Sequence, residues 1–164
     1  MGDRTSLFSF PNPVNEVAAR VVAGGVLTLA LITLVADLPG LLVPLTLGFW
    51  ARVLTGPTLS PLGQLATRVI APRLSPQGRP VPGPPKRFAQ GIGVVVTTAA
   101  TVCWLAGVWW AAEVLLGLLV VFAFAESVLG FCAGCQIFAI LMRRGVIPDS
   151  VCQECGDISR RAAA

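Results

Sequence analysis

The chain has 164 residues, of which 55% are hydrophobic and only 12% are charged. Because soluble domains carry about a quarter charged residues, this composition excludes most soluble enzymes and, despite a net charge of +4, nucleic-acid modules. Histidine and tyrosine are both missing, which excludes Ser–His and Cys–His pairs, His-ligated metals and phenolic acid–base chemistry. The sequence predicts an integral membrane protein whose chemistry depends on five cysteines and a few carboxylates.

Four stretches of the chain are apolar over roughly the 20 residues that a helix needs to cross a bilayer. The second is the weakest, because its uncharged core lies between Asp37 and Arg52 and contains Pro44, which removes a helical hydrogen bond. The fourth is too long for one span, and Gly130 and Gly134 offer the place for a break. We predict an all-α integral membrane protein with four transmembrane helices, at about 17–36, 38–54, 88–107 and 109–130. They form a membrane domain of residues 1–146, followed by a cytoplasmic tail of residues 147–164.

The loop between the second and third spans is predicted to hold a short amphipathic helix and then an extended connector. Apolar residues recur at helical spacing from Leu62 to Ile70, with Pro61 at the start and Pro72 at the end. We expect this helix to lie in the inner membrane interface with its apolar face toward lipid. Residues 75–87 contain five prolines, which predict a semi-rigid, non-helical connector and, as a less favoured alternative, a proline-rich docking site.

The distribution of lysine and arginine predicts the orientation, because these residues favour cytoplasmic loops. With four spans, every cation falls on one side of the membrane and the two opposite loops have none. We therefore predict a multi-pass protein of the cell (inner) membrane with both termini in the cytoplasm. Arg20, in the opening turn of the first span, is expected to reach the lipid headgroups. The predicted cytoplasmic cations are Arg4, Arg20, Arg52, Arg68, Arg73, Arg79, Lys86, Arg87, Arg143, Arg144, Arg160 and Arg161.

Two CxxC pairs, Cys132 with Cys135 and Cys152 with Cys155, are separated by sixteen residues and give the most specific chemical signal in the chain. On the predicted topology both pairs face the cytoplasm, where thiols are kept reduced and stable disulfides are disfavoured. One hypothesis is reversible thiol chemistry, in which one thiol attacks and the second resolves the intermediate. A break near Gly130 places Cys132 at the start of a helix, whose dipole stabilises a thiolate. We therefore predict Cys132 as the nucleophile, Cys135 as the resolving thiol, and the second pair as a relay.

The alternative hypothesis is a structural zinc site made by all four thiolates, Cys132, Cys135, Cys152 and Cys155. The spacing suits a four-cysteine site, which needs no histidine, and zinc would hold the tail against the end of the fourth helix. A third, less favoured interpretation is that these cysteines are inert. The hypotheses leave open whether the chain is an enzyme, and zinc is the one cofactor they imply. Cys103, alone in the third span, is interpreted as a small buried apolar residue.

Glu126 lies in the predicted fourth span, in the inner half of the membrane. Because a lipid-facing carboxylate is costly, such residues usually face the bundle interior and mark a proton, ion or substrate route. A bend at Gly130 would bring Glu126 toward Cys135, so we predict that it is a proton acceptor for the thiols. The alternative is a structural hydrogen bond to a threonine on a neighbouring helix. The candidate threonines are Thr28, Thr33, Thr46, Thr97, Thr98 and Thr101.

Two sequence elements carry a family resemblance. The first is GPPKRFAQGIG at residues 83–93, entering a membrane helix, and the second combines Glu126 with GFCAGC at residues 130–135. Together they resemble a bacterial membrane-protein family called domain of unknown function 4395, over about residues 12–145. Members of this family are often encoded near thioredoxin-like proteins and thiosulfate sulfurtransferases. The resemblance therefore implies thiol or sulfur chemistry for Cys132 and Cys135, and the second CxxC pair lies outside it.

The sequence as a whole favours a membrane thiol protein that exchanges electrons or sulfane sulfur with a cytoplasmic thioredoxin-like or sulfurtransferase partner. The alternative is a non-enzymatic membrane scaffold with a four-cysteine zinc site at its cytoplasmic end. Two further hypotheses are less favoured. Quinone-linked disulfide generation requires thiols on the oxidising side of the membrane, and transport past Glu126 would require an oligomer because four spans are few.

Overall fold

The computed structural model describes residues 10–75, 78–152 and 155, and this part of the chain is mostly helical. Three helices are long and apolar enough to cross a membrane, namely Glu16–Val35, Gly83–Leu105 and Trp109–Leu129. They correspond to the first, third and fourth predicted spans, and they indicate a membrane protein. Three of the predicted cytoplasmic cations, Arg4, Arg160 and Arg161, lie outside the described residues, as do two positions of the predicted connector and most of the predicted tail.

The first two helices, α1 (Glu16–Val35) and α2 (Leu42–Thr55), are joined by a tight turn. Helix α1 begins where Asn15 accepts a hydrogen bond from the Val17 N–H at 2.9 Å, which satisfies one of the free N–H groups of the first turn. A 3₁₀ turn over Pro39–Leu41 leads into α2. Helix α2 has 14 residues, which corresponds to a length of about 21 Å, and it is shorter than α1, which has 20 residues.

A helical segment that we call the loop helix follows α2. It consists of α3 (Pro61–Leu65), a π-helical turn (Ala66–Ile70) and α4 (Ala71–Leu74). Ala66 and Ala71 are fully buried in a cluster with Ala18 and Val22 of α1. Leu65 and Val69, which belong to the predicted apolar face, are exposed. The apolar face is therefore divided between α1 and the surroundings of the protein, whereas the sequence predicted that all of it faces lipid.

The predicted connector is more ordered than its prolines suggested. Pro80–Val81 forms strand β2, which pairs antiparallel with β1 (Val14–Asn15) in the N-terminal segment. Helix α5 (Gly83–Leu105) then begins five residues before the predicted span at residue 88. The prediction of a connector that is non-helical throughout was wrong, because Pro84 and Pro85 lie in the first turn of α5, where a missing N–H costs no hydrogen bond.

Helices α1, α2, α5 and α6 (Trp109–Phe124) share one apolar core. Helix α2 packs closely on α5 at Gly93, where a Cβ atom would overlap the ring of Phe49. The same two helices are joined by a hydrogen bond from the Thr46 hydroxyl to the Thr97 carbonyl at 3.2 Å. The buried core residues are Val26, Ala30, Leu42, Leu45, Phe49, Val94, Ala100, Leu116, Leu119 and Ala123.

The third long helix, which begins with α6, ends at the predicted break. A π-helical turn (Ala125–Leu129) extends α6, and Gly130 then adopts a left-handed φ of 71°. The chain resumes as α7 (Ala133–Arg143), which packs on α5 where the rings of Phe88 and Phe138 meet edge to face at 5.7 Å. The break lies where the glycines predicted it. The packing of α7 back against α5 is a feature that the sequence did not predict.

Candidate functional site

The first CxxC pair lies at the N-terminus of α7. Cys132 is the N-cap residue of this helix, and its Sγ accepts a hydrogen bond from the Cys135 N–H at 3.3 Å. The Cys132 side chain is buried and Cys135 is half-buried. A sulfur in this position faces the free N–H groups and the positive end of the helix dipole, which both favour a thiolate.

Two glycines fix where the helix of the thiol pair begins. Gly134 lies directly against α5, because a Cβ atom there would be 2.6 Å from the Cα of Ala89. Gly130 lies beneath the guanidinium of Arg20, and Arg20 Nη2 donates a hydrogen bond to the Val128 carbonyl at 3.1 Å. Arg20 therefore binds the end of the extended α6, a long-range partner that the sequence analysis did not predict.

An ion pair lies beside the cysteines. Lys86 Nζ is 2.7 Å from Glu126 Oε1, with 13% of the lysine side chain and 19% of the glutamate side chain exposed. This pair replaces the threonine partners considered for Glu126. Lys86 was predicted to lie in the extended connector, so no partner was predicted for it, although prolines suited to a first helical turn precede it in the sequence.

The charges and hydrogen bonds around the pair separate the acidities of its two thiols. A side-chain hydrogen bond from Cys135 lowers the pKa of Cys132, against the opposing effect of burial. The Lys86 ammonium also lowers the pKa of Cys132, whereas the Glu126 carboxylate raises it. The pKa of Cys135 is strongly raised, because its thiol donates the shared hydrogen bond and because it is buried. The lower pKa thus belongs to the predicted nucleophile.

A cavity of about 90 Å³ extends from the thiol pair into the bundle. Its walls come from α1, α2, α5, α6 and α7 and are mostly apolar. The polar side chains that line it are Gln90, Glu126 and Cys132. A mostly apolar cavity with a few convergent polar groups is the usual form of a small-ligand site.

The second CxxC pair takes a different form. Cys152 and Cys155 are joined by a disulfide, with their Cα atoms 5.3 Å apart, a separation within the ordinary range for such bonds. This differs from the sequence prediction of a reduced pair, which rested on the compartment alone. Within the described residues, which include all four CxxC cysteines, no group of three or more Cys, Asp or Glu side chains is arranged to hold a metal. The structure therefore does not bring the two pairs together as the zinc hypothesis requires, and Cys103 stands apart as a half-buried free thiol of α5.

Comparison with known families identifies most of this chain. A family model described as Domain of unknown function (DUF4395) matches residues 14–143. The matched region contains all the long helices, the Lys86–Glu126 ion pair, and the first CxxC pair. No curated protein and no solved structure matches the chain.

Proposed function

We propose that this chain, which belongs to the DUF4395 family, is a membrane thiol protein that exchanges electrons or sulfane sulfur with a cytoplasmic thioredoxin-like or sulfurtransferase partner. The observation that carries the proposal is the position of Cys132. Its sulfur caps α7, accepts hydrogen bonds from Cys135, and interacts with the charges of Lys86 and Glu126. Such a sulfur combines thiolate character with a resolving thiol in reach, which a structural cysteine does not need.

The electron exchange runs through a mixed disulfide. The Cys132 thiolate attacks a sulfur of the partner's disulfide, which forms a new S–S bond and releases the partner's second sulfur as a thiolate. Cys135 then loses its proton and attacks the Cys132 sulfur, which breaks the mixed disulfide and frees the partner as a dithiol. The chain ends with a Cys132–Cys135 disulfide, and two electrons have passed to the partner.

Sulfane sulfur would be accepted by the same Cys132 thiolate. The Cys132 thiolate attacks the outer sulfur of a partner persulfide, and the partner leaves as a thiolate while Cys132 becomes the persulfide. Attack by Cys135 on the Cys132 sulfur then releases hydrosulfide and forms the same disulfide. In both cases Glu126 is the proposed acceptor of the Cys135 proton, and Lys86, which pairs with it at 2.7 Å, is proposed to hold the carboxylate in place beside the thiols. The oxidised Cys152–Cys155 pair is proposed as a relay that takes two electrons from the reduced Cys132–Cys135 pair when the tail brings the two pairs into contact. A thiolate of the first pair attacks the Cys152–Cys155 disulfide, its second thiol resolves the mixed disulfide, and Cys152 and Cys155 are released as thiols.

The proposed setting is the cell (inner) membrane, with four spans and both termini in the cytoplasm. Helix α2 is a candidate fourth span because it follows the length of the bundle. Leu42 lines a cavity with Thr33 and Leu116, and Phe49 lines the cavity near the thiol pair. Together with the 3₁₀ turn that precedes it, α2 covers about 27 Å, close to the thickness of a bilayer core. The loop helix is then proposed to lie at the inner interface, with its exposed leucine and valine side chains in lipid.

Trapping of the mixed disulfide tests the proposed function. Full-length protein in uncharged detergent is incubated with a bacterial thioredoxin whose second CxxC cysteine is replaced by serine and whose first cysteine carries a thionitrobenzoate leaving group, and the adducts are resolved on a non-reducing gel. We expect the Cys135→Ser variant to accumulate a covalent adduct at least tenfold above the unaltered protein, because its Cys132 has no resolving thiol. The adduct should be cleaved by dithiothreitol.

Two variants control this experiment. Cys132→Ser should form no adduct, and Cys103→Ser should behave as the unaltered protein because Cys103 lies outside the site. A thiosulfate sulfurtransferase carrying a persulfide, tested in parallel, should label Cys132 with sulfane sulfur if the second branch operates. Equal adduct formation in Cys132→Ser and Cys135→Ser, or none with either partner, would contradict the proposal.

A further inference from the structure

A buried arginine near the end of α2 has no acidic partner. Arg52 is only 5% exposed, and no carboxylate of the described residues lies within ion-pair distance of it. Its Nε donates to Gln90 Oε1 at 3.0 Å, its Nη1 donates to Ser60 Oγ at 3.3 Å, and its guanidinium lies 4.5 Å from the centre of the Phe49 ring. Its Nη2 is buried and has no hydrogen-bond partner within the described part of the chain.

This arrangement leaves a positive charge without compensation. The amide, hydroxyl and aromatic ring around Arg52 are neutral groups, so they orient the guanidinium but do not cancel its charge. A buried cation is tolerated when an anion pairs with it, and a buried donor without an acceptor is costly. Arginine also presents its N–H groups in a planar fork that matches the spacing of oxygens in carboxylates and phosphates.

Arg52 lines a cavity of about 70 Å³ that carries a second cation. The cavity lies between α1, α2, the start of the loop helix and α5, and the N-terminal segment at Phe10 and Pro11 forms part of its wall. Lys86 and Gln90 also line it, and no Asp or Glu is among its lining residues. Arg52 thus lies among neutral groups in this cavity, whereas the charge of Lys86 is balanced by Glu126 at 2.7 Å. The volume of the cavity admits a group larger than a single water.

We propose that this cavity is a binding site for one tetrahedral oxyanion, such as sulfate or phosphate, held mainly by Arg52. Arg52 Nη2, which has no hydrogen-bond partner within the described residues, is the donor that such an oxygen would satisfy. Lys86 also lines the cavity but is already paired with Glu126, so the proposal rests on Arg52. The same chemistry could come from a free anion or from the phosphate of an anionic lipid at the inner interface. This site is separate from the thiol exchange proposed above, and it does not depend on it.

The two sites nevertheless share a wall. Gln90 lines both the anion cavity and the cavity beside the thiol pair, and Lys86 lines the first while pairing with Glu126 at the second. A bound anion would therefore draw on the same lysine that lowers the pKa of Cys132.

Thermal unfolding with a matched salt tests the anion site. Full-length protein in uncharged detergent is titrated with potassium sulfate or phosphate, and with potassium chloride at equal ionic strength, while its tryptophan fluorescence reports the melting temperature. We expect the oxyanions to raise the melting temperature saturably by about 3 to 8 °C beyond chloride. Saturation is essential, because sulfate also stabilises proteins weakly and without saturation through exclusion from their surface.

Variants connect the effect to the arginine. Arg52→Gln should lose the saturable rise, whereas Arg68→Gln, which removes an exposed cation of the loop helix, should keep it. Arg52→Lys keeps the charge and loses the planar fork, so half-saturation should need at least tenfold more anion. Arg52→Lys also provides the test of the anion site if Arg52→Gln does not fold.

The source of the anion is decided by native mass spectrometry of the same samples. If lipid phosphate fills the site, the unaltered protein and Arg68→Gln should each retain one anionic phospholipid that the Arg52 variants lose, and sulfate should act only after delipidation. If a free anion fills it, sulfate should act without delipidation. The proposal is overturned if the unaltered protein shows neither a saturable oxyanion effect nor a retained lipid, or if both Arg52 variants respond as it does.

Discussion

The chemistry of the thiol pair depends on single residues whose effects oppose one another. Cys132 has the lower pKa of the two thiols because Cys135 donates to it and Lys86 attracts the thiolate, while Glu126 and burial act in the opposite direction. The lysine and glutamate neutralise each other at 2.7 Å, so the acidity of Cys132 reflects a balance that either substitution would change. This balance can be measured without knowing the physiological partner.

Alkylation rates should reveal this balance. At a fixed pH near 7, Lys86→Met should slow the reaction of Cys132 with iodoacetamide, and Glu126→Gln should accelerate it. If each change moves the pKa of Cys132 by about one unit, the thiolate population changes tenfold, and the opposing change in nucleophilicity reduces this to about threefold in rate. Mass spectrometry of the Cys132 peptide over time gives the rates.

The controls for alkylation use the same helix. Arg87→Met removes the neighbouring exposed cation of α5 and should leave the rate unchanged, since Arg87 is not among the groups that shift the pKa of Cys132. The double variant Lys86→Met/Glu126→Gln should return toward the original rate. A decrease in rate for both single variants would show that the ion pair acts through packing and not through charge.

The pH dependence of alkylation follows from the lowered pKa. Because the pKa of Cys132 lies below that of an ordinary thiol, its thiolate persists at lower pH, and the rate should rise with pH to a plateau that is reached earlier than for glutathione. The Cys135 thiol, whose pKa is raised, should stay unreactive over the same range. Peptide-resolved rates between pH 5 and 10 would check this, and a Cys135 that reacts first would contradict it.

At the scale of elements, the thiol pair is positioned by the contact between α7 and α5. This contact is backbone to backbone at Gly134, so it has no flexible side chain that could move aside. The edge-to-face pair of Phe88 and Phe138 is a second contact between the same two helices. A close-packed contact between helices tolerates extra atoms poorly, because no space is left to receive them.

Gly134→Ala should therefore separate α7 from α5. The added methyl would lie 2.6 Å from the backbone of Ala89, and we expect a loss of about 1 to 3 kcal/mol in the free energy of unfolding. Thermal unfolding in detergent measures this loss, and the alkylation rate of Cys132 should change with it. Gly91→Ala on α5 is the matched control, because its added Cβ meets nothing within 4 Å and should be neutral or stabilising. Equal effects of the two substitutions would contradict the role given to Gly134.

At the scale of the whole molecule, the number of spans decides which side of the membrane the thiols face. Three helices are long enough to cross, and α2 is shorter but follows the same bundle. If α2 crosses the membrane, the N-terminal segment, the loop helix and α7 all lie on the same side of it. The concentration of cations in those segments favours the cytoplasm for that side.

Thiol labelling in oriented membranes tests this topology. In the four-span layout, a membrane-impermeant maleimide should label Cys132 and reduced Cys152 in inside-out vesicles and not in intact spheroplasts. A cysteine introduced as Gly40→Cys, in the turn between α1 and α2, should show the opposite pattern. Labelling of Cys132 from outside intact cells would contradict the proposed partners, and labelling of Gly40→Cys from the inside would show that α2 does not cross.

The sequence by itself determined the membrane class, the three long helices, the break at Gly130 and the family, because each follows from local composition, periodicity or motif. It also determined that Cys132 and Cys135 are neighbours, since two cysteines three positions apart at the start of a helix lie within one helical turn of each other. The tertiary structure decided which distant side chains and backbone groups pair with one another. Lys86 meets Glu126 across 40 residues, and Arg20 reaches Val128 across 108. Contacts between distant segments depend on how whole helices pack, and hydrophobic periodicity records which face of a helix is apolar but not which charge will lie opposite it.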